Sequence, residues 1–305
     1  MSDLIVKSNR LVQAIQTLSL AETRLLQLAV IDARETGKGL STDEPLELSA
    51  IRYAKAFNVI PDTAYLALIE AEESLFKRQF TIINEDGSTT KSRWIQDANY
   101  RKGEGRILVT LTRVVIDHVT KIDGFEQYFT SYHLQKTANF KSVYAIRLYE
   151  LLMQWKSVGK TPVFYLENFR EQLGISENEY VRMEAFKRRV LDIALDQVNE
   201  FSDINVQYEQ HKKGRTIAGF SFRFKVKEKI EISKEKLVNK TKCLELTDAQ
   251  INMFGNQLAK LPDLAYLAVG NESYEALASR IKDMLRDPLK QMQFLPHLKK
   301  LGFSR

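Results

Sequence analysis

Two hydrophobic periodicities alternate along this chain, and the same alternation occurs twice. Leu25, Leu28, Ala29 and Asp32 mark the turns of a helix expected over residues 20–35, which stops at Gly37-Lys38-Gly39. A short strand at 46–48 leads to Ser49, placed to cap a helix over residues 50–57. After Asn58-Val59-Ile60-Pro61 a second helix is expected over 62–78, with Pro61 in the first turn, where its missing N–H costs nothing. Strands follow at 80–83, 93–100 and 107–111, separated by turns at Glu85-Asp86-Gly87 and Gly103-Glu104-Gly105. Helix, strand, two helices and a hairpin is winged-helix order.

That order then repeats. Residues 144–155 carry a long apolar face, 162–166 read as a strand, and 167–173 as a short helix closed by Gly174. Ser176 and Glu179 have capping-box spacing for a helix running to about Phe201. Ile204, Val206 and Tyr208 alternate along one strand, His211 to Arg215 turn the chain, and Phe220, Phe222, Phe224 and Val226 alternate down the next. An offset of 116 residues lays Ala50, Tyr53, Phe57 and Val59 on Leu166, Phe169, Leu173 and Ile175. Four matched apolar positions arise readily by chance, and the hairpin shared downstream is what favours duplication. Beyond Lys229 only helical pattern remains: over 247–261, Ile251, Phe254, Leu258 and Leu261 share one face, and Gly270 and Pro288 interrupt the rest. The expected fold class is α+β. Two tandem winged-helix domains, 1–130 and 131–229, are followed by a helical appendage at 234–305, joined through a charged stretch at 225–240.

With 305 residues, 44% hydrophobic and 28% charged, the chain holds enough apolar matter for two or three domains. Its start, Met1 to Ser8, lacks the apolar core and cleavage site of a signal peptide, and no apolar run nears the roughly 20 residues a membrane span needs. A cytoplasmic protein with no membrane partner is expected. The single cysteine, Cys243, excludes an internal disulfide or a cysteine-rich zinc site and reads as a small apolar residue. The net charge of +6 is uneven. Residues 1–130 carry 16 basic against 18 acidic side chains, 131–230 carry 17 against 12, and 231–305 carry 12 against 9. The excess over the middle third suits a polyanionic partner.

On a helical wheel for residues 182–201, Met183, Phe186, Val190, Ile193, Ala194 and Phe201 form one apolar face. Arg182, Arg188 and Arg189 fall opposite, Lys187 flanks the apolar face, and all four lie in the N-terminal half; Asp192, Asp196 and Glu200 continue the outer side. A recognition helix needs this polarity, because its N-terminal residues reach base edges, and an arginine fork matches guanine O6 and N7. The plain alternative is a solvated face with an Arg188–Asp192 ion pair. A second basic element favours the DNA-binding reading: Lys212, Lys213 and Arg215 sit at the hairpin tip, where a wing meets phosphates. The corresponding helix of the first unit carries Asp62, Glu70, Glu72 and Glu73, with Lys77 and Arg78 only at its end. Phosphate repulsion argues against its being the main reader; auxiliary DNA contacts or pairing with a second subunit through its strand edges suit it better.

The segments Phe129-Thr-Ser-Tyr-His-Leu134, Tyr144-Ala-Ile-Arg-Leu-Tyr-Glu-Leu-Leu152, Tyr180-Val-Arg-Met-Glu-Ala-Phe-Lys-Arg-Arg-Val-Leu191, Lys212-Lys-Gly-Arg215 and Phe220-Ser-Phe-Arg223 resemble the iteron-binding plasmid replication initiators. The resemblance covers about residues 4–227. It implies two winged helices, dimers that repress the initiator's own promoter, and monomers that bind directly repeated double-stranded origin DNA and help open it. Host initiator and replicative helicase would be partners. It puts base-contacting arginines on Arg182 and Arg188, with Lys187 and Arg189 beside them and Lys212, Lys213 and Arg215 on the wing. The family often has arginine where this chain has Lys187, a change that keeps attraction to phosphate and loses the bidentate fork. The appendage is longer than in the best-known members.

Catalytic readings fare poorly, and no cofactor is expected. Ser157-Val-Gly-Lys-Thr161 ends like a phosphate-binding loop, but Gln154 stands where the upstream glycine belongs and the segment runs from helix to strand. His118, His133, His211 and His297 show no metal-ligand spacing, which removes the histidine cluster a nicking enzyme would need. Gly103-Glu104-Gly105 lacks the following helix of a dinucleotide site. The alternative to an initiator is a winged-helix transcriptional repressor without initiator activity.

Overall fold

The computed structural model describes residues 3–41, 44–101, 103–120, 129–227, 246–261, 264, 267, 273–287, 291, 294, 297–298, 300–301 and 303. Cys243, Gly270, Pro288 and most of the charged stretch expected to join the appendage lie outside these. The chain divides into two compact units, residues 1–227 and 228–305.

The first unit begins with elements that the local pattern did not suggest: β1 (Leu4–Ser8), α1 (Asn9–Gln13) and β2 (Ile15–Gln16). Then comes α2 (Leu20–Thr36), started by a reciprocal capping box between Ser19 and Glu22 and ended at Gly37 in the left-handed region, φ 73°. β3 (Leu46–Ser49) passes directly into α3 (Ala50–Phe57), whose first turn Ser49 caps; Pro61 opens α4 (Pro61–Lys77) at its first position. Next are β4 (Gln79–Ile83), β5 (Thr89–Arg93), β6 (Ile95–Arg101) and β7 (Arg106–Leu111). The single strand expected over 93–100 is therefore two strands in two different sheets: β4 and β5 form a hairpin against β2, whereas β6 pairs with β7. Trp94, 5% exposed and 4.5 Å from the Phe80 ring, is the pivot, because its indole is buried where the chain changes sheets. The sheet order β3-β7-β6 makes the β6–β7 hairpin this half's wing.

After α5 (Arg113–Thr120), β8 (Phe129–His133) returns to pair antiparallel with β1, Leu4 opposite His133 and Ser8 opposite Phe129. After α6 (Val143–Met153) the second half runs β9 (Phe164–Tyr165), α7 (Leu166–Gln172), a long helix α8, β10 (Ile204–Lys213) and β11 (Thr216–Val226). Helix α8 consists of Met183–Phe186, a π turn at Lys187–Leu191 and Asp192–Phe201, continuous in right-handed backbone. Its sheet is ordered β9-β11-β10, so in each half the strand before the helix pair meets the last strand of the hairpin, which flanks the hairpin's first. This shared order is far stronger evidence of duplication than four apolar positions.

Both halves close on α6. Glu150, 1% exposed, accepts hydrogen bonds from Lys7 Nζ of β1 (2.7 Å) and from the Tyr132 hydroxyl of β8 (2.6 Å), and its second oxygen lies 3.3 Å from Arg147. Arg147 donates on to the carbonyls of Ala14 (3.0 Å) and Gln172 (2.8 Å), linking the segment before β2 to α7. Burial pushes the Glu150 carboxyl up, yet Lys7 and Arg147 outweigh it and hold it below the ordinary glutamate value.

The second unit has a core of its own. α9 (Asp248–Leu258), capped reciprocally by Thr247 and Gln250, and α10 (Tyr274–Arg286), capped by Ser273, bury Ile251, Phe254 and Leu258 against Leu277, Ile281, Leu285, Phe294 and Leu298. The helix expected to reach residue 261 ends at Leu258, where the backbone tightens into three-residue turns and leaves Leu261 partly buried.

Candidate nucleic-acid interface

The geometry of α8 follows from the aromatic core beneath it. Phe169 of α7 contacts Phe164, Phe186, Phe220 and Phe222, so α7, α8 and the hairpin meet on one cluster of rings. With Phe186, Val190 and Leu191 held inward, the helix winds the segment 187–191 with i→i+5 bonds, advancing less per residue than an α-helix. Positions beyond it lag behind a uniform wheel. Ile193, expected in the core, is 40% exposed, and Leu195 and Val198 take its place at 7% and 0%. The start of the helix also differs from expectation. Ser176 and Glu179 do bond, Ser176 N–H to Glu179 Oε2 at 2.9 Å, but they close a turn, and helical backbone begins only at Met183, after Tyr180 in the left-handed region at φ 47°.

Each sequence-selected residue of this element has a defined place. Arg182 is the N-cap, exposed and making no capping bond with its side chain. Arg188 and Arg189 are exposed one and a half turns further on. Arg188 Nη1 lies 3.7 Å from Glu184 Oε1, with both side chains more than half exposed. The ion pair therefore runs back one turn rather than forward to Asp192, as expected when Cα–Cβ bonds tilt toward the helix N-terminus. A solvated pair of this kind contributes about 0–1 kcal/mol, so the arginine is readily given up to a stronger acceptor. Lys187 is half-buried: its ammonium donates to Gln210 Oε1 (3.2 Å) and lies 5.7 Å from the Tyr208 ring, tying α8 to β10.

The wing is a two-residue turn. β10 runs to Lys213, opposite Thr216, so the turn is Gly214-Arg215 alone rather than all of 211–215. Gly214 takes φ 65°, and Thr216 Oγ1 bonds back to the Lys213 carbonyl at 3.0 Å. Lys212, Lys213 and Arg215 are all exposed, and among the described residues no carboxylate pairs with them. Arg223, also exposed, is paired with Glu209 at 3.2 Å.

The first half presents the opposite electrostatics. The outer face of α4 exposes Asp62, Leu66, Ile69, Glu70 and Glu73, with Lys77 bound to Glu73 at 2.7 Å. At its wing Arg106 is taken up by Glu47 (3.0 Å) and Glu104 (2.7 Å). The hydroxyls of Tyr65 on α4 and Tyr100 on β6 bond to one another at the foot of that wing, and the bond raises Tyr100 to about 12.

Sequence reading passed over two residues of the second half. Val181, next to Arg182, is 74% exposed, an apolar side chain at the tip of a basic helix. Arg170 of α7 turns its guanidinium to the carbonyls of Glu179 and Tyr180 and over the Phe186 ring. Its spacing carried no signal, because its partners are backbone atoms of a turn. Among the described residues no group of three or more His, Cys, Asp or Glu is placed to hold a metal ion, and no helix is long and apolar enough to cross a membrane.

Known proteins share this arrangement. Residues 4–153 match the initiator replication protein WH1 family and residues 165–224 the initiator Rep protein WH2 family. The chain is similar to the PI protein of Escherichia coli, 24% identical over 255 residues that cover 72% of this chain and 82% of that protein. It is also similar to a replication initiation protein of Escherichia coli, 23% identical over 292 residues, 92% of this chain and 86% of that one. The crystal structure of Pi initiator protein in complex with iteron DNA has the same fold, with a TM-score of 0.62 at 22% identity over 74% of this chain and 98% of that chain. WH1 and WH2 matches spanning most of the first unit, on two halves of identical strand order, make this chain a member of the replication initiator family built from two winged helices.

Proposed function

We propose that this chain is a plasmid replication initiator that binds directly repeated double-stranded origin DNA, with α8 in the major groove and the β10–β11 wing on the flanking backbone. Arg182 and Arg188 read base edges, Lys187 and Arg189 flank them, and Lys212, Lys213 and Arg215 meet phosphates. The observation that carries this reading is the lysine bridge: Lys187 joins α8 to Gln210, two residues from the wing's first cation, so the basic half of the helix is tied to the strand that leads to the basic tip. The acidic outer face of α4 and the compensated Arg106 fit auxiliary DNA contacts and self-association for the first winged helix. A dimer formed there represses the initiator's own promoter. The protein acts in the cytoplasm by binding, without catalysis of its own, opening the origin and recruiting host initiator and replicative helicase.

The test is a footprint of the full chain on its plasmid's origin together with replication of an origin fragment supplied with the protein in trans. Periodic protection over direct repeats and maintenance of the fragment are expected. Promoter repression without replication would leave a transcriptional repressor instead.

A further inference from the structure

The recognition helix is preceded by a turn whose two ends are held by one residue. The Arg170 carbonyl accepts from the Ile175 N–H at 3.0 Å, closing the turn where α7 ends. Its side chain reaches over the same turn: Nη1 donates to the Tyr180 carbonyl at 3.1 Å and Nη2 to that of Glu179, while the guanidinium lies 5.4 Å from the centre of the buried Phe186 ring. Tyr180 needs such a clamp. It is one of three non-glycine residues at positive φ among those described, a region that L side chains disfavour, and its ring is held edge-on to Tyr144 at 6.2 Å. The residues leaving the clamp are Val181 and Arg182, both exposed, with the Arg182 side chain making no capping bond and helical backbone starting just beyond. Whatever fixes the Tyr180 backbone therefore fixes the direction in which the first arginine leaves the helix. An arginine fork suits two successive carbonyls because its donors are coplanar and rigidly spaced.

We propose that Arg170 is a positioning residue for sequence selectivity: by clamping the Glu179 and Tyr180 carbonyls it aims Arg182, without touching DNA itself. This rests on the base-reading role proposed above for Arg182. A cation tens of degrees off aim still attracts phosphate, but a bidentate contact to a base does not survive such a turn, so discrimination is lost ahead of general affinity.

The experiment presents the full chain with a pool of randomised duplexes, sequences the bound fraction, and derives base preference by position for wild type and for Arg170→Ala, Arg170→Lys, Arg182→Ala and Arg188→Ala, with thermal melts alongside. Arg170→Ala is expected to lose about tenfold discrimination at the base pairs that Arg182→Ala flattens, to keep those that Arg188→Ala flattens, and to leave the salt dependence of binding unchanged. Arg170→Lys keeps a cation over Phe186 and reaches one carbonyl at a time; it should lose about threefold at the same pairs, and it decides the matter if the alanine variant does not fold. Uniform weakening on all sequences, or flattening at other pairs, overturns the proposal and leaves Arg170 a stabiliser of the turn. If Arg182→Ala flattens no pair, the base-reading role itself fails and the proposal falls with it; if only the Arg170 variants are silent, that role stands and Arg170 alone is excluded.

Discussion

Glu150→Gln tests whether a buried charge holds α6 to β1 and β8. The substitution keeps the size of the side chain and an acceptor for Tyr132, and it removes the negative charge shared by Lys7 and Arg147. The three side chains are 1%, 10% and 4% exposed, so little water is at hand to replace the lost partner. Breaking one side of a buried ion cluster costs about 3–5 kcal/mol. Arg147 retains the carbonyls of Ala14 and Gln172, and Lys7 has a sliver of solvent access, which places the expected loss near the lower end, about 3 kcal/mol. At about 2–4 °C per kcal/mol for a unit of this size, Tm falls by about 6–12 °C. Urea unfolding and thermal melts of the full chain without DNA measure both. Because the Glu150 carboxyl lies below its ordinary value in the folded protein, its contribution is complete above the unfolded value and is lost as pH falls through the folded one. The deficit of the variant is thus full above about pH 5 and narrows below about pH 4. A loss under about 1 kcal/mol at neutral pH, or one indifferent to acid, would refute the account of the charge cluster.

Arg188→Ala should weaken binding to the preferred duplex by about 1–3 kcal/mol and relax preference at one base pair; equal loss on specific and random DNA would take it out of the base-reading role. Lys213→Ala should weaken all sequences alike and lower the slope of log affinity against log salt by about one, read from titrations at several ionic strengths. Gly174→Ala should destabilise the first unit by at least about 2 kcal/mol in urea, since φ is 83° there and an added Cβ would lie 2.6 Å from the Gln16 carbonyl oxygen; a stability change within experimental error would mean that the close approach to the end of β2 relaxes freely.

Elements fixed by neighbouring residues are legible in the sequence. Ser49 caps α3, Pro61 opens α4, Gly37 ends α2, and the aromatic alternation of β11 points Phe220, Phe222 and Phe224 inward. Elements fixed by distant partners are not. β1 is a strand because β8, more than 120 residues away, offers it an edge, and β5 has no apolar alternation because it is a solvated outer strand of its sheet. The wheel of α8 fails for a different reason: it assumes one angular step, and the π turn at 187–191 changes that step in the middle of the helix. The wheel still places Arg182, Arg188 and Arg189 outward, because the first precedes the π turn and the others lie near its start, before the lag has accumulated.

Two halves with the same strand order can differ in task only through what their surfaces carry. In the first half one cation of the wing, Arg106, is taken up within the fold by Glu47 and Glu104 while Arg101 stays exposed, and the helix that corresponds to α8 turns Asp62, Glu70 and Glu73 to solvent. In the second half the wing cations have no carboxylate partner among the described residues, and the exposed Arg188 pairs only with a solvated Glu184. An ion pair already made must be broken before a phosphate can be met, and each carboxylate facing the duplex adds repulsion that counterion release does not remove. Sequence readout through α8, as proposed, therefore requires no difference in fold between the halves. It requires that Lys187 bridge to the wing, that the turn before Arg182 be held, and that α8 expose Arg182, Arg188 and Arg189 whereas α4 exposes Asp62, Glu70 and Glu73.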